Sequence, residues 1–347
     1  MRIGDREIGS DYPVYIIAEM SGNHAGRLDK ALEIIRSAKE AGADAIKLQT
    51  YRADTITLDA QTPDFLIPAD DPWHYKGNLF ALYEEAFTPW EWHETLFAEA
   101  RKIGIEIFSS PFDGTAVDFL ENLGCSAYKI ASPEITDIPL LKRVAQTGKP
   151  VIMSTGLAEL ADIELAVQTL KDNACISYAL LKCTASYPAP PERMQLRTIP
   201  DMISRFGCPV GLSDHTLGIG VPVASVALGA SIIEKHFMVN KTDESVDSFF
   251  SLDAIEFRQM VDAVRMVEKA LGSVSYEVPG ESVTKFKARR SLYIAMSIRK
   301  GEVLTEMHVK SVRPSWGLHP KYYESILGKR VNCDLELGDR LSLDVID

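Results

Sequence analysis

Cysteine is scarce in this sequence, and long apolar runs are absent. No CxxC pair occurs, so neither a disulfide framework nor a cysteine-ligated zinc site is indicated. The five cysteines among 347 residues stand far apart, at positions 125, 175, 183, 208 and 333. No stretch approaches the ~20 apolar residues of a membrane-spanning helix, and the opening residues lack the apolar core of a secretory signal. We therefore expect a reduced, cytoplasmic protein.

Positive charge is also in short supply. Lys and Arg number 37 against 49 Asp and Glu, which gives a formal net charge of -12. Nucleic-acid binding needs a basic face, and anionic membrane surfaces attract basic segments. We therefore expect neither kind of partner. Any anionic ligand must be held by a local cluster of cations in an otherwise acidic protein.

Short apolar runs alternate with helical segments, which is typical of parallel βα units. The runs span residues 14–19, 45–50, 105–111, 127–132, 151–155, 178–184, 209–214 and 231–236. Eight is the number that closes a (β/α)8 barrel of ~250 residues. We predict an α/β protein with a TIM barrel over residues 1–272. The long gap at 53–87, rich in Asp, Pro and aromatics, predicts an extended loop over one face.

The character of the sequence changes after Gly272. Residues 273–285 contain Val-Pro-Gly and are typical of a linker. The segments 297–305 and 334–342 resemble each other, with Gly301 and Gly338 at matching turn positions. We therefore predict a small β-rich domain with an internal repeat over residues 286–347.

Lysines interrupt four of the apolar runs near the same end. One such lysine is explained by an outward-reaching head group or a neighbouring acid, but four favour a convergent cationic site for phosphate or carboxylate. The lysines are Lys47, Lys129, Lys182 and Lys235. Serines at the same ends supply hydroxyl groups, although each alone is typical of a turn. They are Ser110, Ser132, Ser154 and Ser213.

Two histidines end consecutive runs. His215 and His236 would sit on neighbouring strands ~5 Å apart. A lone histidine is usually structural, but a matched pair favours a shared metal. Two imidazoles without a thiolate leave positions for water and substrate, which suits an exchangeable Mn²⁺ or Mg²⁺ better than structural zinc.

Two acids complete the candidate site. Glu19 ends the first run, and it is either an inward carboxylate that can act as a general base or a partner of a helix N-terminus. Asp247 lies in the loop after the eighth run. It is either a contact to a substrate hydroxyl or an ordinary loop aspartate.

These motifs together resemble the N-acetylneuraminate synthase superfamily over essentially the whole chain. The barrel motifs are Ile-Ala-Glu19 with Asn23-His24, Lys47-Leu-Gln49, Phe108-Ser-Ser-Pro-Phe112, Tyr128-Lys-Ile-Ala-Ser132, Ser154-Thr-Gly156, Cys183-Thr184 with Tyr187-Pro188, Gly211-Leu-Ser-Asp-His215 and Ile233-Glu-Lys-His-Phe237. At the C-terminal end, Arg290-Ser-Leu, Arg313-Pro and Leu327-Gly-Lys329 look like its antifreeze-like (SAF) domain.

Within the superfamily, three stretches are most similar to the pseudaminic acid synthase branch. They are residues 88–93, 247–253 and 311–320. Sialic and legionaminic acid synthases usually carry a Gly-Pro-Asp-His-like stretch after strand eight, where this sequence reads Asp243-Glu-Ser-Val-Asp-Ser. N-acetylneuraminate or legionaminic acid synthesis stays as the alternative.

The resemblance implies that C3 of phosphoenolpyruvate adds to the aldehyde of 2,4-diacetamido-2,4,6-trideoxy-L-altrose. Water attacks C2, and phosphate leaves with C–O cleavage. It also implies site roles: His215 and His236 hold the metal and Glu19 handles protons. The implied substrate-binding residues are Lys47, Gln49, Ser110, Lys129, Ser132, Ser154, Tyr187, Ser213, Asp247 and Arg313.

In relatives the antifreeze-like domain reaches over the barrel of a partner subunit. The resemblance therefore implies a homodimer with domain-swapped SAF domains, in which Arg313 caps the neighbouring site near an N-acetyl group.

Two other classes of function stay open on the residues. A Schiff-base aldolase would use Lys129 or Lys182, because a lysine on a barrel strand is how such enzymes work. A non-catalytic binding protein, including an ice-binding one, would rest on the C-terminal domain alone, which lacks an obvious flat apolar face.

Overall fold

The computed structural model of the protein describes residues 1–277 and 287–347. The chain divides into two compact units, Met1–Gly272 and Ser273–Asp347. The predicted linker at 273–285, and the predicted start of the second domain at residue 286, fall partly on residues 278–286, outside the described residues. No helix within the described ranges is long and apolar enough to cross a membrane.

Parallel strands close into an eight-stranded barrel in the first unit. A two-stranded hairpin, β1 (Arg2–Ile3) and β2 (Arg6–Glu7), precedes them. The barrel strands are β3 (Tyr15–Glu19), β4 (Ala45–Thr50), β5 (Glu106–Pro111), β6 (Tyr128–Ile130), β7 (Val151–Ser154), β8 (Tyr178–Cys183), β9 (Val210–Asp214) and β10 (Ile232–His236). Each lies within one predicted run, and β10 pairs with β3 to close the barrel. The (β/α)8 prediction is confirmed.

Helices cover the outside of the barrel and bury one apolar face each, as in α1, where the buried side chains recur at helical spacing. The helices of this unit are α1 (Leu28–Glu40), α2 (Ala53–Ile56), α3 (Leu79–Ala86), α4 (His93–Ile103), α5 (Gly114–Asn122), α6 (Ile138–Ala145), α7 (Leu160–Asp172), α8 (Thr198–Phe206), α9 (Gly220–Val226) and α10 (Ala254–Leu271). Short 3-10 turns lie at Pro63–Phe65, His74–Lys76, Trp90–Trp92, Pro133–Thr136 and Pro191–Arg193.

The segment between β4 and α4 differs from the extended loop that was predicted. Residues 53–87, called the excursion here, contain α2, α3 and two 3-10 turns. They also carry a small core of their own, in which Ile67 and Leu82 pack with Val246 from the loop after β10. The excursion is therefore a folded element held against the carboxyl end of the barrel.

The second unit is built on an antiparallel pair, β11 (Ser291–Ile294) and β12 (Val309–Val312). A short helix, α11 (Tyr323–Ile326), and the 3-10 turns Pro320–Tyr322 and Leu343–Val345 complete its elements within the described residues. The two similar segments meet at the bridge between Ile298 and Leu335. Gly301 and Gly338 have φ of 86° and 94°, which only glycine adopts without strain, so the matched glycines mark matched turns.

Candidate active site

The carboxyl ends of the barrel strands bring most of the predicted site residues together. Side chains alternate along a strand, and the register places His236 opposite Glu19, and Glu19 opposite Lys47. Gln49 pairs with Ser110 in the same way. These residues are buried or half-buried at one end of the barrel, where such folds carry their chemistry.

Four charges form the centre of this end. Lys47 Nζ lies 2.6 Å from Glu19 Oε2, and Lys129 Nζ donates to both carboxylate oxygens of Glu234 at 2.7 and 3.0 Å. Lys47 Nζ is also 3.9 Å from Glu234. Glu19, Lys47, Lys129 and Glu234 are all nearly inaccessible to solvent and are called the inner cluster here. Two lysines and two carboxylates make it formally neutral.

The pKa values of the two carboxylates in the inner cluster are shifted in opposite directions. Burial raises the pKa of Glu19 above its ordinary value, and Glu234 adds to that effect while Lys47 opposes it. Burial would also raise the pKa of Glu234, but Lys129 and Lys47 outweigh it and hold that pKa well below its usual range. Glu19 is therefore the better proton acceptor of the pair.

Glu234 was not among the predicted site residues, although it lies next to both lysines of the inner cluster. Besides both lysines, Ser213 Oγ donates to its carboxylate at 3.1 Å. A signal was present in the sequence. Glu234 stands two residues before His236, so the strand period of two places both on the inner face.

The same period corrects the prediction that four lysines converge. Lys235 lies on the opposite face of β10 from Glu234 and His236. It donates to Asp214 and to the Thr216 carbonyl. Lys182 donates to the Cys183 carbonyl at 2.6 Å instead of joining the cluster. Only Lys47 and Lys129 converge.

The histidine pair brings two imidazole rings close together, as a divalent-metal site requires. The rings of His215 and His236 lie 5.3 Å apart between centroids. His215 Nδ1 donates to the Thr184 carbonyl at 3.1 Å, which leaves Nε2 as the possible ligand atom. His236 Nδ1 is buried without a hydrogen-bond partner, and burial lowers the pKa of His236 well below its usual value. A neutral imidazole with an unpartnered nitrogen suits a metal ligand.

The described residues offer no group of three or more His, Cys, Asp or Glu side chains arranged to hold a metal. Asp247 Oδ2 is the nearest acid to His236 Nδ1, at 3.8 Å. The pair therefore fits a metal only as a two-histidine site that water and substrate complete.

The four predicted serines are all buried at this end of the barrel, but their hydrogen bonds differ. Ser110 accepts from Lys47 at 3.3 Å, and Ser132 accepts the Gly156 N–H at 2.9 Å. The Ser154 hydroxyl is buried without a partner. An unpaired buried hydroxyl is costly, so Ser154 is a candidate contact for a ligand.

A chain of hydrogen bonds joins Glu19 to Asp247. Gln49 Nε2 donates to Glu19 Oε1 at 2.9 Å and to Ser21 Oγ at 3.0 Å, and Ser21 donates to Asp247. Asp247 is buried, and burial raises its pKa. Asp247 therefore belongs to the same buried hydrogen-bond network as Glu19, and its role in a site stays a prediction. Sequence reasoning gave Ser21 no role.

The last two predicted residues, Tyr187 and Arg313, belong to different units of the chain. Tyr187 packs its ring against His215, with 4.5 Å between centroids. Arg313 is exposed and follows β12 in the second unit, so its part in a site stays a prediction.

Glu134 is a second acid that the sequence reasoning missed. It lies in the 3-10 turn just after Ser132, and its Oε2 is buried without a partner. Burial raises the pKa of Glu134 to about 7.

Comparison with known proteins agrees with the motifs. The sequence matches the NeuB family over residues 34–276 and the SAF domain over residues 289–344. It is 46% identical to a pseudaminic acid synthase of Campylobacter jejuni (strain 81-176), covering 98% of both chains. It is 35% identical to an N,N'-diacetyllegionaminic acid synthase of Legionella pneumophila, covering 99% of this chain and 98% of that protein.

A solved structure gives the same result. The N-acetylneuraminic acid synthetase of Leptospira borgpetersenii matches with a TM-score of 0.73 at 33% identity, over 82% of this chain and 94% of the other. The resemblance predicted from the motifs is confirmed: the chain belongs to the NeuB family and carries a SAF domain at its C-terminal end.

Proposed function

We propose that this chain is a pseudaminic acid synthase. It condenses phosphoenolpyruvate with 2,4-diacetamido-2,4,6-trideoxy-L-altrose and water to give pseudaminic acid and phosphate. The observation that carries the proposal is the near full-length similarity to a pseudaminic acid synthase, which exceeds the similarity to a legionaminic acid synthase. A bond forms between C3 of phosphoenolpyruvate and the aldehyde carbon, water bonds to C2, and the bond from C2 to the phosphate oxygen breaks.

Lys47 and Lys129 bind the anionic groups of phosphoenolpyruvate in this proposal. Lys129, with Ser110, Ser132, Ser154 and Ser213, holds the phosphate, and Lys47 lies near the carboxylate. The buried, unpartnered Ser154 hydroxyl supports this role. Charge-assisted hydrogen bonds of this kind fix the orientation of the enol carbon toward the aldehyde.

Glu19 accepts the proton that water releases as its oxygen bonds to C2. Its raised pKa suits it to this task. The binding of an anion next to Glu19 raises its proton affinity further, because like charges repel.

His215 and His236 would hold a divalent metal, Mn²⁺ or Mg²⁺. When bound, such an ion supplies Lewis-acid polarisation of the aldehyde oxygen. The unpartnered nitrogen of His236 supports this assignment. Asp247, held by Ser21, contacts a hydroxyl of the sugar, and Gln49 and Tyr187 line the same space.

The test is phosphate release from phosphoenolpyruvate with two aldehydes, the diacetamido-trideoxy altrose and N-acetylmannosamine. Release with the altrose derivative alone is expected. Release with N-acetylmannosamine alone would keep the chemistry and overturn the substrate, and no release with any sugar aldehyde would contradict the synthase. Chelation followed by separate addition of Mn²⁺ and Mg²⁺ tests the metal. Full activity of the chelated enzyme would contradict its role.

A Schiff-base aldolase is the second candidate, and one observation favours it. Burial lowers the pKa of Lys129, despite the opposing effect of Glu234, and a neutral amine is the form that attacks a carbonyl. Borohydride in the presence of pyruvate would trap a covalent adduct on Lys129 if this candidate were correct. We expect no adduct.

We further propose that the active enzyme is a homodimer in which Arg313 of one subunit completes the site of the other. The test is to co-express differently tagged His236→Ala and Arg313→Ala chains and to purify the mixed dimer. If the residues act across subunits, one of its two sites is intact, and about half of the wild-type activity returns. If Arg313 serves its own barrel, both sites stay defective.

A further inference from the structure

Four aromatic rings form a contiguous group beside the two histidines. Tyr187 and Phe250 form an inner pair: Tyr187 lies 4.5 Å from His215, and Phe250 lies 4.6 Å from His236, between ring centroids. Trp73 and Phe249 form the rim pair. Trp73 is 5.4 Å from Tyr187 and 5.9 Å from Phe249, which in turn is 5.0 Å from Phe250. These four residues are called the aromatic wall.

The aromatic wall runs from the buried site to its rim. Phe250 is 2% exposed and Phe249 is 44% exposed, although the two are neighbours in sequence. A half-exposed phenylalanine is ordinary by itself. Here it continues a contiguous apolar surface that begins at the proposed metal ligands.

The rim pair is held in position by contacts that join distant parts of the chain. Trp73 comes from the excursion, and its Nε1 donates to the Val246 carbonyl at 2.8 Å. Trp73 also packs on the small core of Ile67, Leu82 and Val246. The excursion and the loop after β10 therefore present Trp73 and Phe249 as one preformed surface.

The position of a bound sugar aldehyde decides which groups would touch the aromatic wall. That position rests on the function proposed above. The aldehyde C1 is at the histidines, and the inner cluster of Glu19, Lys47, Lys129 and Glu234 fills the barrel below. The distal carbons must then extend toward the rim. An aromatic surface there favours methyl groups, whereas a hydroxyl pressed against it loses hydrogen bonds to water without replacement.

We infer that Trp73 and Phe249 select aldehydes with apolar groups at their distal carbons. The altrose derivative has a methyl group at C6 and an acetamido group at C4, where N-acetylmannosamine has hydroxyls. The rim pair contacts the C6 methyl and the acetamido methyl groups. It is thus a determinant of specificity and takes no part in bond making.

The test pairs a change in the protein with a change in the substrate. The substrates are the 6-deoxy aldehyde and its 6-hydroxy counterpart, 2,4-diacetamido-2,4-dideoxy-altrose, and the measurement is the ratio of their kcat/KM values. One apolar group in such a pocket is worth roughly 10- to 200-fold, so the wild type should prefer the 6-deoxy aldehyde by at least about tenfold. Phe249→Ala should bring the ratio close to one.

Three further variants make the test specific. Phe249→Leu keeps an apolar side chain and should retain most of the preference. Trp73→Phe keeps a ring, avoids a large cavity in the excursion and should lower the preference by less than Phe249→Ala. Tyr75→Ala removes a 67%-exposed aromatic of the same excursion that is not part of the aromatic wall, and it should leave the ratio unchanged.

The outcomes separate this inference from the proposed function. If the wild type turns over the 6-deoxy aldehyde and Phe249→Ala keeps the wild-type ratio, the aromatic wall does not set specificity and the synthase stands. A ratio near one in the wild type also overturns the inference. If the wild type turns over neither aldehyde, the proposed function fails and the inference fails with it.

Discussion

Two buried groups of charges lie back to back on β10, and they are built differently. The inner cluster uses Glu234, while the next residue, Lys235, pairs with Asp214 on the other face of the strand. Lys235 and Asp214 are called the outer pair here. Both side chains are fully inaccessible to solvent.

The outer pair is hydrogen-bonded within itself and to Thr216, whereas the inner cluster borders polar groups that have no hydrogen-bond partner. Lys235 donates to Asp214 and to the Thr216 carbonyl, and Asp214 accepts from the backbone and side chain of Thr216. Those contacts hold the turn that carries His215. The inner cluster instead lies beside the unpartnered Ser154 hydroxyl and His236 nitrogen. Lys235 and Asp214 thus serve the fold, whereas the hydrogen-bonding groups beside the inner cluster have no structural use that the contacts show.

The largest effect is expected on stability, from breaking the outer pair. Lys235→Met leaves Asp214 buried without its cation, so the free energy of unfolding should fall by about 3–5 kcal/mol. The kcat of the folded fraction should change by less than about tenfold. Chemical denaturation and active-site-normalised turnover measure the two quantities.

A second variant separates the charge from the packing. The double variant Asp214→Asn with Lys235→Met removes both charges and should recover much of the lost stability, because the penalty comes from the unpaired carboxylate. A double variant as unstable as Lys235→Met would show that packing, and not charge, dominates at the outer pair.

The next effect is expected on catalysis, from the inner cluster. Lys129→Gln removes a cation that the proposed mechanism assigns to the phosphate. The kcat/KM for phosphoenolpyruvate should fall about 10²- to 10³-fold, the usual cost of truncating one partner of a buried charge pair. Steady-state phosphate release is the measurement.

Lys182→Gln is the matched control for that variant. It removes a lysine at the same end of a barrel strand that does not join the cluster, so it should stay close to wild type. Equal losses of kcat/KM in both variants would contradict the distinction between lysines that join the inner cluster and Lys182, which does not.

The sequence predicts the barrel well because its strands are continuous apolar runs bounded by polar residues. The strand ends also indicate where the polar side chains of the site gather. The runs do not show directly whether a side chain lies on the inner or the outer face of its strand. Lys235 was assigned to the wrong face for that reason. The period of two, applied to Glu234 and His236, would have separated it from Lys47 and Lys129.

Long-range contacts account for the rest of what was missed. Trp73 is held at the aromatic wall by contacts that include the hydrogen bond from its indole to the Val246 carbonyl, 173 positions away in the chain. No local pattern around Trp73 encodes that contact. The helices of the excursion were missed for a related reason, since α2 and α3 have only four and eight residues and are stabilised by packing more than by their own periodicity.

The smallest effect is expected at Glu134, which lies at the carboxyl end of the barrel strands. Its carboxylate has no ion pair within the described residues. Burial raises its pKa from 4.5 to about 7, and Asp137 adds to the shift, while Lys129 and Lys47 oppose it. Between these pH values the folded carboxyl holds a proton that the unfolded one has lost. Stability attributable to Glu134 must therefore fall as pH rises through this window.

Glu134→Gln should abolish that pH dependence. Compared with the variant, the wild type should lose up to about 3 kcal/mol of unfolding free energy between pH 4.5 and 7. The measurement is the difference between the two unfolding free energies at several pH values, so that all shared titrations cancel. Glu94→Gln, at an exposed glutamate of α4, is the control and should give no such trend. A wild-type protein that gains stability relative to Glu134→Gln as pH rises would mean that the carboxylate of Glu134 has a cation partner after all, and that this end of the barrel holds an ion pair beyond those of the inner cluster.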